Sequence, residues 1–156
     1  KNYSHEGGIR TPLIVNWSGH VKTPGGLSHE PGHLIDLMPT LVALTGATYP
    51  EQFKDRAVTP MQGVSLLPAL KDEALARQAP LFWQWSGGGA IRVGNMKAVF
   101  WGRGPKRKWE LHDMSKNLNE TNDLAEQMPE RLAAMKMQWQ AWYGDVSKDR
   151  RKKRVM

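Results

Sequence analysis

The hydrophobic period of the chain changes near residue 79, and this constrains the fold more than any other feature of the sequence. Residues 81–85, 90–93, 96–101 and 109–112 are four short runs rich in aromatic and β-branched side chains, each bounded by turn formers. Runs of that length and composition read as strands. Gly94-Asn95, between the second and third runs, is a tight hairpin signal. Gly87-Gly88-Gly89, between the first and second, reads as a loop. The pattern predicts a four-stranded antiparallel meander. After it the period lengthens. Leu132, Met135, Trp139 and Trp142 are spaced 3, 4 and 3, an apolar stripe on a helix that starts near Pro129 and stops at Gly144. A small sheet must cover one face, and this helix is the available cover.

Upstream the chain is sparser. Residues 1–10 are polar and carry Gly7-Gly8, so they read as a loop or the lead-in to a strand. Residues 12–17 are a short apolar run bounded by turn formers and read as a buried strand. It has no sheet partner nearby, so it is expected to belong to a larger sheet built by residues outside this chain. Gly19, Pro24, Gly25, Gly26 and Pro31 mark a long loop. Leu34, Leu37, Met38, Leu41, Val42 and Leu44 then recur at helical spacing. Asp36 is the candidate N-cap of that helix, Pro39 falls in its first turn, and Gly46 is its stop. Residues 47–63 read as loop, with a short helix starting at Ser65.

The 156 residues suffice for one domain. Cysteine is absent, which excludes disulfides, zinc–thiolate sites and a cysteine nucleophile within these residues. The sequence shows no apolar stretch of membrane-span length and no leader. It opens on Lys1 rather than methionine, so it is expected to be a piece of something longer. The formal net charge is +7, but residues 148–154 hold six positive side chains and one negative. The excess is therefore a tail rather than a basic face, and the tail reads as solvated and disordered beyond Gly144.

Few constellations carry chemistry. The five histidines (His5, His20, His29, His33 and His112) show no pair at helix-face spacing, so no metal site is expected within the chain. Lys1, His5, Glu6 and Arg10 surround the double glycine and read either as an anion-binding cluster or as a solvated loop whose glutamate caps backbone. The tryptophans of the sheet (Trp83, Trp85, Trp101, Trp109) beside basic residues could stack single-stranded nucleic acid. The simpler reading makes alternate tryptophans core, and no nucleic-acid or membrane partner is favoured.

His5-Glu-Gly-Gly-Ile-Arg-Thr-Pro-Leu-Ile-Val15 resembles the sulfatase family, in its arylsulfatase branch. The resemblance continues in order through Gly32-His-Leu-Ile-Asp-Leu-Met-Pro-Thr-Leu41, Gly46-Ala-Thr-Tyr-Pro50, Gly63-Val-Ser-Leu-Leu-Pro68, Pro80-Leu-Phe-Trp83, Ala90-Ile-Arg-Val-Gly94 with Lys97, Trp109-Glu-Leu-His-Asp113, Glu120-Thr-Asn-Asp-Leu-Ala125 and Pro129-Glu-Arg131. It spans roughly residues 1–143; only the basic tail falls outside.

The resemblance implies an α/β enzyme of the alkaline-phosphatase superfamily, with this chain α+β and at its C-terminal end. Residues 1–78 would be the last strand and helix of the large catalytic domain. Residues 79–145 would be a C-terminal subdomain, a four-stranded antiparallel sheet on a helix, and residues 146–156 a basic tail. The implied reaction is hydrolysis of sulfate esters by a formylglycine, with a calcium ion polarising the sulfate. The formylglycine signature, Cys/Ser-x-Pro-x-Arg, is absent from the sequence, and the family's metal-ligand segments lie upstream, so both groups would come from the rest of the catalytic domain. Lys1 has the offset of the family lysine that contacts the substrate sulfate, which would make it the catalytic and substrate-binding residue here, with His5 beside the substrate. Residues 84–89 depart from the family where many relatives carry an acidic residue or histidine and an Asn-Arg pair. The resemblance favours an exported, periplasmic or extracellular location, which the sequence itself leaves open. The isolated chain is expected to be inactive and to fold poorly. The alternatives are a non-catalytic polyanion-binding module and a phosphodiesterase or phosphonate hydrolase of the same superfamily.

Overall fold

The computed structural model describes residues 3–102, 104 and 107–152, with side chains up to Lys148. It divides into two compact units, one of residues 1–12 and 80–156, the other of residues 13–79.

The first unit is built on β3 (Leu81–Trp85), β4 (Gly88–Val93), β5 (Met96–Trp101) and β6 (Lys108–Asp113), with α4 (Pro129–Lys152) after them. The strands pair antiparallel in the order β3-β4-β5-β6, as a meander. Successive side chains of a strand point to opposite faces. One face carries Ile91, Ala98, Phe100, Trp109 and Leu111, which form the core with Met135 and Trp139 of α4. Leu132 and Trp142 pack at its margin, so the whole predicted stripe faces the sheet. Trp139 is the centre of this layer. Its ring meets Phe100 edge-on at 4.8 Å, and its Nε1 donates to the Trp83 carbonyl at 3.1 Å.

Gly88 and Gly89 lie inside β4, not in a loop. Their reason is proximity. A Cβ on Gly89 would come within 2.7 Å of the Trp139 ring and 2.8 Å of Phe100, and one on Gly88 within 2.7 Å of Trp101. The turn falls earlier, where Ser86 takes φ 49°. The β4–β5 turn is at Gly94, with φ 58°, as Gly94-Asn95 predicts.

The α4 helix also differs from expectation, since it continues through Gly144 to Lys152. A mid-helix glycine costs about 1 kcal/mol relative to alanine, which does not stop a helix with no proline behind it. The next turn is tied by Lys148 to Asp145 at 3.0 Å, and its basic residues suit a helix C-terminus. The last residues of the predicted tail, 153–156, lie outside the described residues.

On the second face of the sheet Tyr3 packs on Trp101, His5 meets Glu110 and Glu6 meets Lys97. Residues 6–9 form α1 (Glu6–Ile9), a single helical turn where a loop is expected. On the same face as Lys97, by strand register, Leu81, Ala90 and Val99 are buried.

The second unit holds α2 (Leu37–Thr45), preceded by a 3₁₀ turn at Leu34–Asp36, then β1 (Gln52–Phe53), β2 (Arg56–Ala57) and α3 (Leu67–Leu70). Pro39 is buried in the first turn of α2, and Gly46 closes the helix with φ 64°. Asp36 precedes α2 but does not cap it. Its carboxylate accepts instead from the N–H of His33 at 2.7 Å and of Val64 at 2.9 Å, and from Arg77 at 2.5 Å. The β1–β2 hairpin falls within the predicted loop. Its turn places Lys54 and Asp55 at φ 49° and 61°, without the Asn-Gly pair that announces such turns. Residues 12–17, read as a strand, form none. A strand needs a ladder partner, and these residues have none among the described residues; Leu13, Ile14 and Val15 are exposed.

Candidate functional site

Lys97 is the most unusual residue of the structure. It sits in β5 with a fully buried side chain. Its cross-strand neighbours are Arg92 and His112, so it points away from α4 toward the segment at the start of the chain. There Nζ donates to Glu6 Oε1 at 2.7 Å and lies 2.8 Å from Glu120 Oε1. The second approach is an ion contact without hydrogen-bond geometry, which leaves Glu120 Oε1 with no hydrogen-bond partner. The other Glu120 oxygen accepts from the backbone N–H of Glu6 at 2.6 Å. The ammonium also sits 5.9 Å from the Trp83 ring centroid. A buried charge must be paired or move its proton, and two carboxylates supply the pairing. Glu120 adopts φ 54°, a left-handed conformation that its two contacts hold in place.

A second group lies alongside. Glu110 Oε2 is 3.2 Å from His5 Nε2 and 3.4 Å from His112 Nε2. His112 is buried, and its Nδ1 is 2.9 Å from the Asn122 carbonyl. The strand pattern explains the assembly. Glu110 and His112 alternate with Trp109 and Leu111, so the polar pair of β6 shares a face with Lys97 while the apolar pair faces α4. The loop behind β6 is held by Asp123, which accepts from the N–H groups of Leu111 and Ala125, both at 3.0 Å. Burial works to raise the Asp123 carboxyl, but those two N–H donors, with Lys108 and His112 nearby, outweigh it and hold the pKa below the usual range. At Asp113 the Ser115 hydroxyl and N–H pull the same way.

The structure thus brings His5 and Glu6 onto the sheet. Arg10 is exposed and enters neither group, while Lys1 lies outside the described residues. His5 also borders an open cleft of about 380 Å³ with Tyr3, Gly7 and Gly8. A Cβ on Gly8 would collide with the Tyr3 carbonyl, so the second glycine allows the chain to fold back there. Sequence reasoning placed Lys97 in a strand but missed its role, as it did those of Glu110 and Glu120. The one available signal was a lysine in the middle of an otherwise apolar strand run.

The four tryptophans do not form one stacking platform. Trp109 is in the core against α4, Trp101 packs on Tyr3 at 4.3 Å, and Trp83 lies under Lys97; Trp85 is exposed.

Calcium does not fit the acidic residues seen here. Among the described residues no group of three or more His, Cys, Asp or Glu side chains could hold a metal ion. Glu6 and Glu120 face an ammonium, and Asp36 faces a guanidinium. No helix among the described residues is long and apolar enough to cross a membrane.

No protein-family model matches the chain. Individual proteins do. It is 38% identical over 101 residues to human N-acetylgalactosamine-6-sulfatase, covering 65% of this chain and 18% of that protein. It is 34% identical over 110 residues to human arylsulfatase A, covering 67% of this chain and 20% of that protein. The chain therefore spans about a fifth of the length of these curated relatives. Among solved structures, a 2-O GAG sulfatase superposes with a TM-score of 0.53 at 24% identity, over 75% of this chain and 26% of the other, which is a likeness of fold. The small antiparallel sheet with its C-terminal helix is the part of the architecture that the sulfatase neighbours share. By sequence and by fold, the chain belongs to the sulfatase family and corresponds to its C-terminal part.

Proposed function

We propose that this chain is the C-terminal portion of an enzyme that hydrolyses sulfate esters. The observation that carries the proposal is the sulfatase similarity together with the docking of the Glu6-Gly7-Gly8 segment, the one that follows Lys1, onto the sheet. In this reading Lys1 contacts the sulfate. An ammonium there offsets charge that builds on the sulfuryl and leaving-group oxygens, and it is worth most where that charge grows in the transition state. His5, on the cleft edge and braced by Glu110, lies beside the bound ester.

The formylglycine nucleophile and the calcium ion belong, in the same reading, to the rest of the catalytic domain. That domain also covers the apolar side chains the second unit exposes, among them Ile14, Met38 and Leu41. The 156-residue chain alone is then inactive, because one lysine without nucleophile or metal is not a catalytic constellation. In this reading residues 1–78 complete the catalytic domain, residues 79–145 form the subdomain, and residues 146–156 are a basic tail whose first part, up to Lys152, continues α4.

The test is the reading frame upstream of Lys1. A Cys/Ser-x-Pro-x-Arg motif, with an Asp-Asn pair closer to Lys1, supports the sulfatase reading. A frame with a different nucleophile signature transfers the chain to phosphodiester or phosphonate hydrolysis. A frame that begins near Lys1 without either leaves a binding module.

A further inference from the structure

We propose that Lys97 is a positioning residue for the anion site, acting through the segment that carries Lys1. The inference rests on the sulfatase reading of Lys1. Lys97 itself cannot meet a substrate. Its side chain is wholly buried, its Nζ is engaged by Glu6 and Glu120, and the Trp83 ring lies beside it. What it can do is set where residues 4–6, which follow Lys1, lie on the sheet. Ser4 is buried, His5 meets Glu110, and Glu6 is held twice, through its carboxylate by Lys97 and through its N–H by Glu120. These contacts fall on three consecutive residues. A slip of one residue would bring His5 or Gly7 to Lys97, and neither offers a carboxylate. The ion contacts therefore specify register as well as attachment.

The choice of residue supports a role beyond packing. A well-packed apolar side chain at a buried ion-pair position is often neutral or stabilising. An apolar pair in place of Lys97 and Glu6 would hold the two layers together but would tolerate sliding. An ammonium between two carboxylates does not. Placement at that level matters for charge stabilisation, because a displacement of about 1 Å can cost roughly 10²-fold in rate. The partners lie far apart in the chain, 91 residues between Glu6 and Lys97 and 114 between Glu6 and Glu120, so the C-terminal sheet sets the position of an N-terminal segment.

The experiment is a double-mutant cycle in the full-length enzyme, with p-nitrophenyl sulfate as substrate. The variants are Lys1→Met, Lys97→Met and the two combined, with Lys97→Arg and Glu120→Gln made in parallel. If Lys97 acts through Lys1, Lys97→Met lowers kcat/KM by about 10²-fold. It then adds little once Lys1 is already methionine, and Lys97→Arg restores part of the loss. Independent effects that multiply in the combined variant overturn the positioning role and leave the sulfatase reading intact. A Lys1→Met enzyme with unchanged kcat/KM overturns the reading of Lys1, and the positioning role with it. Should Lys97→Met fail to fold, the same cycle run with Glu120→Gln decides between these outcomes.

Discussion

Replacing Lys97 by methionine should destabilise the first unit far more than the loss of one surface ion pair would. The methionine fills most of the space but leaves Glu6 and Glu120 facing each other without a cation, with side chains 13% and 4% exposed. At the Lys97–Glu6 separation of 2.7 Å, two unit charges attract by about 6 kcal/mol at an effective dielectric constant of about 20. Most of that gross attraction is offset by the cost of removing three charges from water. Removing one partner of a buried pair exposes the cost that remains, about 3–5 kcal/mol. Six of the seven tryptophans belong to this unit, so their fluorescence during urea unfolding reports on it directly. With an m value of about 2 kcal/mol/M, the midpoint should fall by about 2 M. The triple variant Lys97→Met/Glu6→Gln/Glu120→Gln carries no unpaired charge and should recover much of the loss. A Lys97→Met midpoint within about 0.3 M of wild type, roughly 0.6 kcal/mol at that m value, would refute the reasoning. So would a triple variant less stable than the single one.

Gly89→Ala should cost about 1–3 kcal/mol by overpacking, because its Cβ meets two pinned rings; urea unfolding measures it, and an unchanged midpoint would mean Trp139 can move aside. In the second unit, burial of the His33 ring, with Arg77 also nearby, lowers its pKa despite the neighbouring Asp36. A lowered folded pKa makes this contribution complete above about pH 6.5, the unfolded value, and weaker as the pH falls toward the folded one. The protection factors of the amides at residues 34–45, which divide out the intrinsic pH dependence of exchange, should therefore fall from about pH 6.5 downward, and protection factors that rise instead contradict the assignment. Leu37, Met38, Leu41 and Leu44 of α2 are at least 40% exposed, as are Leu13, Ile14 and Val15. The isolated chain should bind an apolar-surface dye such as ANS, and a monomer that unfolds sharply without binding it would count against the proposed cover.

The meander was legible because its causes are local. Alternation, the Gly94-Asn95 turn, Pro129 and the 3-4-3 stripe all act within a few residues; β3, β5 and β6 lie where they predict, β4 covers its predicted run, and α4 begins at Pro129. Features with distant causes were not legible. Gly88 and Gly89 look like loop residues until Trp101, Phe100 and Trp139 are seen against them. Glu6 looks like a solvated acid because its cation lies 91 positions away. Asp36 has the local signature of a cap, yet its carboxylate is drawn off by Val64 and Arg77. Residues 12–17 have a strand's composition, but pairing depends on a neighbour that composition does not reveal. Gly144 is the reverse case, a local stop signal too weak to end a helix that nothing else interrupts.

The full-length enzyme should hydrolyse p-nitrophenyl sulfate faster than bis(p-nitrophenyl) phosphate, and Lys1→Met should reduce the sulfatase rate. A preference for the phosphate diester, or no hydrolysis of either ester, would contradict the account.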